Sequence, residues 1–349
     1  MLKSLKRLAL QVCKNSSVFE LVGGSQWRTR RLAILCYHGV TLEDEHEWDP
    51  RFYVSPAILE ERFRMLREKK FNVLPLGEAV RRLYDGTLPP RSVAITFDDG
   101  CFDFYHHAFP LLKKYGLPAT LYLTTFYCYH PRPVFGMLCY YLMWKGRNTF
   151  RGGRLMDLDF EPDLSTEAGR IRAAGAFVAS VEKRGLELAG RDALAEQLAG
   201  QLGVDYEAVC RTRILQLMTP EEIAQLAREG LDIQLHTHRH RTPMDRSLFL
   251  REIDDNRHHI RAITGDDSRA VHFCYPSGVH ASEFLPWLAD ASVLSATTCE
   301  AGLASAGDHR FLLPRIVDTS TLTPIEFEGW LEGVGAMLSQ ASRLALAGK

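Results

Sequence analysis

The sequence predicts a parallel α/β sheet, closed or open, and three observations predict it. Apolar, β-branched runs such as Leu32–Tyr37 and Val93–Phe97 alternate with helix-like segments along most of the chain. These runs lack the polar alternation of a sheet with one wet face, so they read as strands buried on both sides. Residues able to do chemistry fall just past strand ends, Asp98 and Asp99 after one strand and His236 to His240 after another. That is where an α/β barrel carries its site.

Leu32–Tyr37 is the first strand. Ser55-Pro56 opens a helix, with Ser as N-cap and Pro in the first turn, and Leu59, Phe63, Met65 and Leu66 give its apolar stripe up to Lys70. Phe71–Leu76 reads as a short strand and Gly77–Tyr84 as a helix; Val93–Phe97, a helix Phe104–Tyr115 and a strand Ala119–Thr124 follow. Thr219-Pro220-Glu221-Glu222 is a capping box that opens a helix to Arg228. Gly230 ends it before a strand Leu231–Leu235. A helix Leu248–Ile263, a strand Val271–Tyr275, a helix Ser282–Ala289 and strands Val293–Thr297 and Phe311–Val317 continue the order. Thr323-Pro324 starts a long terminal helix. Residues 126–217 interrupt the alternation, aromatic-rich at first and then rich in Ala, Glu and Arg, and read as a helical insertion covering one side of the site.

The 349 residues are 46% hydrophobic and 24% charged with a net charge of −1, the balance of a soluble globular protein with no general attraction for nucleic acid. Eight cysteines are scattered without a CxxC pair, which points to free thiols in a reducing compartment. No apolar run reaches the roughly 18 residues of a membrane span, and Lys14-Asn15-Ser16-Ser17 breaks the only candidate leader. A cytoplasmic location is the expectation. Residues 1–30 form a basic helical segment ahead of a domain over 31–349. In it Leu2, Leu5, Leu8, Ala9 and Val12 lie at helical spacing opposite Lys3, Lys6, Arg7 and Lys14. This fits either a peripheral helix on the inner face of the membrane, through residues 1–24, or a helix packed on the core.

Thr96-Phe97-Asp98-Asp99-Gly100 places two carboxylates side by side at a strand end. They repel each other and pay for burial unless a cation compensates them. His236-Thr237-His238-Arg239-His240 offers two histidines at i and i+4, which with one carboxylate complete a three-ligand open metal site. No HExxH is present, so a zinc peptidase is disfavoured.

Those two motifs and Phe273-Cys274-Tyr275-Pro276-Ser277-Gly278, in that order over about 31–317, resemble the polysaccharide deacetylases with a NodB homology domain, carbohydrate esterase family 4. The resemblance implies a distorted (β/α)7-like barrel and a metal-dependent hydrolase that removes an N-acetyl group from an N-acetylated polysaccharide or lipid-linked sugar. It implies a divalent metal, Zn²⁺ before Co²⁺, Ni²⁺ or Mn²⁺, held by Asp99, His236 and His240. Asp98 would then be the base, Thr237 a support for the ligand loop, and Tyr275 the donor of a backbone N–H to the oxyanion.

Two departures stand out. The third motif lacks the usual arginine that holds the base, and Arg315 in Leu313-Pro314-Arg315-Ile316 is the candidate to replace it. The last strand lacks the usual histidine, whereas Leu35-Cys36-Tyr37-His38 reads as that motif moved to the first strand. This resembles circularly permuted members, with His38 as general acid and His309 as the runner-up. His238 is a substitute ligand candidate, since strand periodicity puts it on the face of its neighbours. Trp144, Tyr140 and Tyr141 suit either sugar stacking or core. An amidase of the same fold acting on a small non-sugar substrate and a non-catalytic glycan binder are the alternatives.

Overall fold

The computed structural model describes residues 2–156, 158–265 and 270–339; the side chains of residues 1–6, including Leu2, Lys3, Leu5 and Lys6, lie outside the described set, as does the chain beyond 339. Seven strands form the core of the fold: β1 (Arg31–Tyr37), β2 (Ser92–Phe97), β3 (Thr120–Leu123), β4 (Asp232–Leu235), β5 (His272–Cys274), β6 (Ser295–Ala301) and β7 (Leu313–Val317). All neighbours pair in parallel, from β2 through β7 in chain order. The first strand closes the ring. β1 pairs with β2 from Ala33↔Val93 to Tyr37↔Phe97, and with β7 at Leu35↔Ile316 and Cys36↔Val317. The sheet is therefore a closed seven-stranded α/β barrel, and the chain's first strand is the neighbour of its last.

Burial explains the uninterrupted apolar runs, since every residue of β2 and β3 is buried. Two outer additions lengthen the wall: Asn72–Val73 beside β2, all that forms of the strand expected over Phe71–Leu76, and Ala304–Ser305 antiparallel to β1. Ser55 and Thr219 cap their helices as their residue types require, Ser55 accepting from the Ile58 N–H and Thr219 within a full capping box. The expected terminal helix is broken once, and residues 334–339 are helical again past the break. The break after Pro324–Glu332 falls at Gly333, whose φ of 95° favours glycine, and where a Cβ would meet the Trp27 ring at 2.7 Å.

The insertion builds its own apolar core. Helices Phe135–Lys145, Glu167–Lys183 and Leu188–Leu202 bury Leu138, Leu142, Phe177, Leu198 and Leu202 together. The N-terminal helix Leu2–Asn15 buries Leu10 with Phe19 and Val334. Its Arg7 and Lys14 pair with Glu326 and Glu328 on the terminal helix, while Leu8 and Val12 are exposed.

Candidate metal centre and catalytic cleft

The centre is assembled from strand ends. Past β2, the Asp98 N–H continues the ladder by donating to the Tyr37 carbonyl at 2.9 Å, whereas Asp99 turns out of it at φ 71°. Gly100 follows at φ 90°, and a Cβ there would meet Leu123 at 2.4 Å. The two carboxylates thus leave the strand in different directions. Past β4, Asn256 accepts from the His236 N–H at 3.0 Å and donates to the Leu123 carbonyl at 2.9 Å. Thr237 and His240 adopt left-handed φ of 62° and 53°, and the Thr237 hydroxyl accepts from the Arg241 N–H at 3.1 Å, bracing the loop.

These bends bring Asp99 Oδ1 to 3.2 Å from His236 Nε2 and to 3.2 Å from His240 Nε2. One donor atom from each of the three residues lies within 4.8 Å of the others. The donor set fits a divalent metal: ligand atoms about 2.1 Å from a tetrahedral ion stand about 3.4 Å apart. Asp99 Oδ1 is moreover buried without a hydrogen-bond partner, although it faces both rings. His236 Nδ1 lies 2.8 Å from the Cys274 carbonyl, so donation there leaves the Nε2 lone pair turned to the centre. Burial opposes charge on Asp99, but the facing imidazoles hold its carboxyl well below the usual range.

Asp98 sits against a different partner. Arg315 is fully buried and grips it with both arms, Nη1 to Oδ1 and Nη2 to Oδ2, each at 2.7 Å. The guanidinium is fixed in turn, since Nε donates to the Thr298 carbonyl at 2.9 Å and Nη2 to Cys274 Sγ at 3.1 Å. Cys274 thus occupies the third motif where an arginine was expected, and an arginine from β7 supplies the charge. Burial alone would raise the Asp98 carboxyl; the Arg315 charge and hydrogen bonds outweigh it and hold it at about 2. His38, at the end of β1, brings Nε2 to 3.6 Å from Asp98 Oδ2 and rests its ring 4.6 Å from that of Phe52.

A cleft of about 380 Å³ opens over these groups, lined by His38, Asp98, Asp99, His236 and His240 among others. Tyr275 is not part of its wall. Its N–H is taken by the Thr297 carbonyl at 3.3 Å and its hydroxyl by the Phe311 carbonyl at 3.0 Å. The Tyr275 side chain is core, and it is Ser277, at φ 55°, through which the third motif reaches the cleft. His238 turns away from the centre, with Nδ1 at 2.8 Å from Thr125 Oγ1 and its ring stacked 4.6 Å from His259. Burial pushes its imidazole down to about 4. His309 instead accepts from the Phe311 N–H at 3.2 Å.

Sequence reasoning missed several groups. Glu252 is buried on the helix Arg246–Thr264 and ties the histidine loop through the Arg239 N–H at 2.8 Å and Arg241 Nε at 2.7 Å. Glu252 and Asn256 are polar residues at i, i+4 between the buried Phe249, Ile253 and Ile260, a signal the sequence did contain. Cys299 also lines the cleft. A hydrogen bond from the Cys36 thiol, helped against burial by the Arg315 charge, lowers the Cys299 thiol to about 5.

Comparison with known proteins agrees with this architecture. The polysaccharide deacetylase family pattern matches residues 85–135 and 196–293, the two stretches on either side of most of the insertion. A poly-β-1,6-N-acetyl-D-glucosamine N-deacetylase of Escherichia coli strain K12 is 33% identical over 102 residues, 28% of this chain and 15% of that protein. An enzyme of the same name from Staphylococcus aureus is 36% identical over 74 residues, 21% of this chain and 26% of its own. The chain therefore spans well under a third of the length of these relatives. Among solved structures, the Streptococcus pyogenes deacetylase PplD in complex with acetate matches at a TM-score of 0.55 and 18% identity, over 84% of this chain and 95% of that one. IcaB from Ammonifex degensii matches at 0.53 and 18%, over 86% and 97%. The stretches that match the polysaccharide deacetylase family carry the carboxylate, histidine and third motifs, in that order, at strand ends of this closed barrel, and over them the chain is similar to that family.

Proposed function

We propose that the chain hydrolyses the N-acetyl group of an N-acetylated glycan. The observation that carries this reading is the buried, unbonded Asp99 Oδ1 facing two imidazole nitrogens, with the ionised Asp98 and His38 beside it. Asp99, His236 and His240 would hold a divalent cation, most simply Zn²⁺, which when bound acidifies water and polarises an amide carbonyl.

The chain's own groups supply the proton work. Asp98 takes the proton of the attacking water, and Arg315 fixes its orientation. His38 gives a proton to the departing nitrogen. Since His38 Nε2 and Asp98 Oδ2 are 3.6 Å apart, the proton gained by one can replenish the other after turnover. The third motif reaches the cleft at Ser277, two residues past Tyr275, so an oxyanion donor is sought in the backbone N–H groups of this segment, Tyr275 included.

Acetate release from a panel of N-acetylated glycans tests the reading, measured as isolated, after chelation and after Zn²⁺ is restored. Release that is lost with chelation and regained with Zn²⁺ is the expected result; no release from any glycan overturns it. A lipid-linked substrate and membrane contact through residues 1–24 have weaker support. Arg7 and Lys14 are spent on Glu326 and Glu328, and among the described side chains of this segment Leu8, Val12 and Leu21 are the large exposed apolar groups. Flotation with anionic vesicles, with and without residues 1–24, tests this part; equal behaviour ends it. No helix among the described residues is long and apolar enough to cross a membrane.

A further inference from the structure

A second and larger cavity, of about 910 Å³, lies beside the cleft. The segment 47–53 forms one wall, and the insertion helices Phe135–Lys145 and Glu167–Lys183 form the others. Phe52 and Met137 line both spaces, so the two communicate across these side chains. We propose that this cavity binds further neutral sugar units of the same glycan, on the nitrogen side of the bond that is cut. The proposal rests on the reading of the cleft given above.

Direction follows from the catalytic groups. The acetyl carbonyl must face Asp99, His236 and His240, so the nitrogen lies toward His38. Whatever the nitrogen carries then continues past His38 and over the Phe52 ring, 4.6 Å from it. That path leads into the larger cavity, which has more than twice the volume of the cleft and is near the top of the roughly 300–1,000 Å³ range of ligand pockets.

The lining selects the occupant. Trp48, Tyr140 and Trp144 offer aromatic surface to the apolar face of a sugar ring. Three carboxylates, Glu47, Asp49 and Glu167, outnumber Arg51 and Arg170, so a phosphorylated group meets net repulsion. A lipid chain would have to lie among five ionisable side chains, and although Arg51 pairs with Asp49 and Arg170 donates to the Leu164 carbonyl, covering these charges with hydrocarbon costs their remaining hydration. A hydroxyl-rich, uncharged ring with an apolar face satisfies both kinds of wall.

The test compares N-acetylglucosamine with its β-1,6-linked tetramer on the full, metal-loaded chain and on two variants, Ile171→Trp and Tyr140→Ala. Ile171 lies on the rim and is 50% exposed, so the larger ring fills space without disturbing the core. The expected result is that the tetramer-to-monomer ratio of kcat/KM falls about tenfold in each variant, as loss of a stacking contact predicts. Calorimetric titration with the tetramer should weaken by a similar factor. That second measurement needs no turnover. Tight tetramer binding that the variants weaken, without acetate from any glycan, would overturn the cleft reading and uphold this one. Acetate release with the tetramer treated no better than the monomer, or with both variants behaving as the parent, would overturn this one alone.

Discussion

The floor of the cleft and its wall each hold one of two consecutive carboxylates, and the two regions treat them differently. On the floor, Asp98 is 2% exposed and locked to a permanent cation, with Cys36 and Cys274 as its other neighbours. On the wall, one residue on, Asp99 faces imidazoles that can lose their charge and bind a metal instead. Adjacent acids of the same type thus meet a fixed guanidinium in one case and two imidazoles in the other, and the backbone turn at Asp99 separates the two settings. Identity of the side chain decides little here; the partner decides.

Substitution on each side breaks the comparison cleanly. Asp99→Ala should abolish metal retention and with it turnover, whereas Asp98→Asn should keep the metal and lose turnover by about 10²–10⁴-fold. Metal content by mass spectrometry beside acetate release reads both, and an empty Asp98→Asn protein would merge the two roles. Arg315→Ala comes next. It strands a buried carboxylate, which costs about 3–5 kcal/mol by denaturant unfolding, and it frees Asp98 to rise with burial.

The sign of the pH effect follows. Asp98 is depressed from 3.8 to about 2, so its contribution is present above pH 3.8 and is lost as pH falls through about 2. Without Arg315 the acidic limb of the rate profile should move to higher pH, and an unmoved limb would remove Arg315 from the mechanism. His38→Ala should slow turnover about 100-fold with the metal retained; metal loss would mark it as a ligand. The smallest effect belongs to His238→Phe, which should keep metal and most activity and cost about 1 kcal/mol through the lost Thr125 bond. Because burial holds His238 at about 4 rather than 6.5, its neutral ring favours the fold above pH 6.5, a contribution lost as pH falls through about 4. The variant should flatten stability across that window.

The parts legible in the sequence were those written locally. Strand runs, the capping box at Thr219 and the Asp-Asp-Gly and His-x-x-x-His spacings each sit within a few residues. Arg315 could be guessed only because strand ends of a barrel converge, since it lies 217 positions from Asp98. His238 misled because strand periodicity assumes an extended chain, and the left-handed turns at Thr237 and His240 reverse the alternation. At Tyr275 the chain still bonds to the Thr297 carbonyl, and the left-handed turn that carries it to the cleft comes only at Ser277. The large cavity was invisible because its walls come from segments about 90 and 120 residues apart, and none of its aromatics has a spacing that differs from core.

The position of β1 between β2 and β7 has a consequence for how the protein comes into being. Within the barrel β1 can dock on β2 early, but its other edge waits for residues near 316, about 280 positions further on. Until then β1 and every newly added last strand present bare backbone, the state in which parallel sheets are slowest to mature and most prone to pair with other chains. Ala304–Ser305, which caps the outer end of β1 only at Arg31 and Leu32, arrives just ahead of the closing strand. The rate of ring closure should therefore govern yield, and helper proteins that shield unpaired edges should raise it more than added metal does.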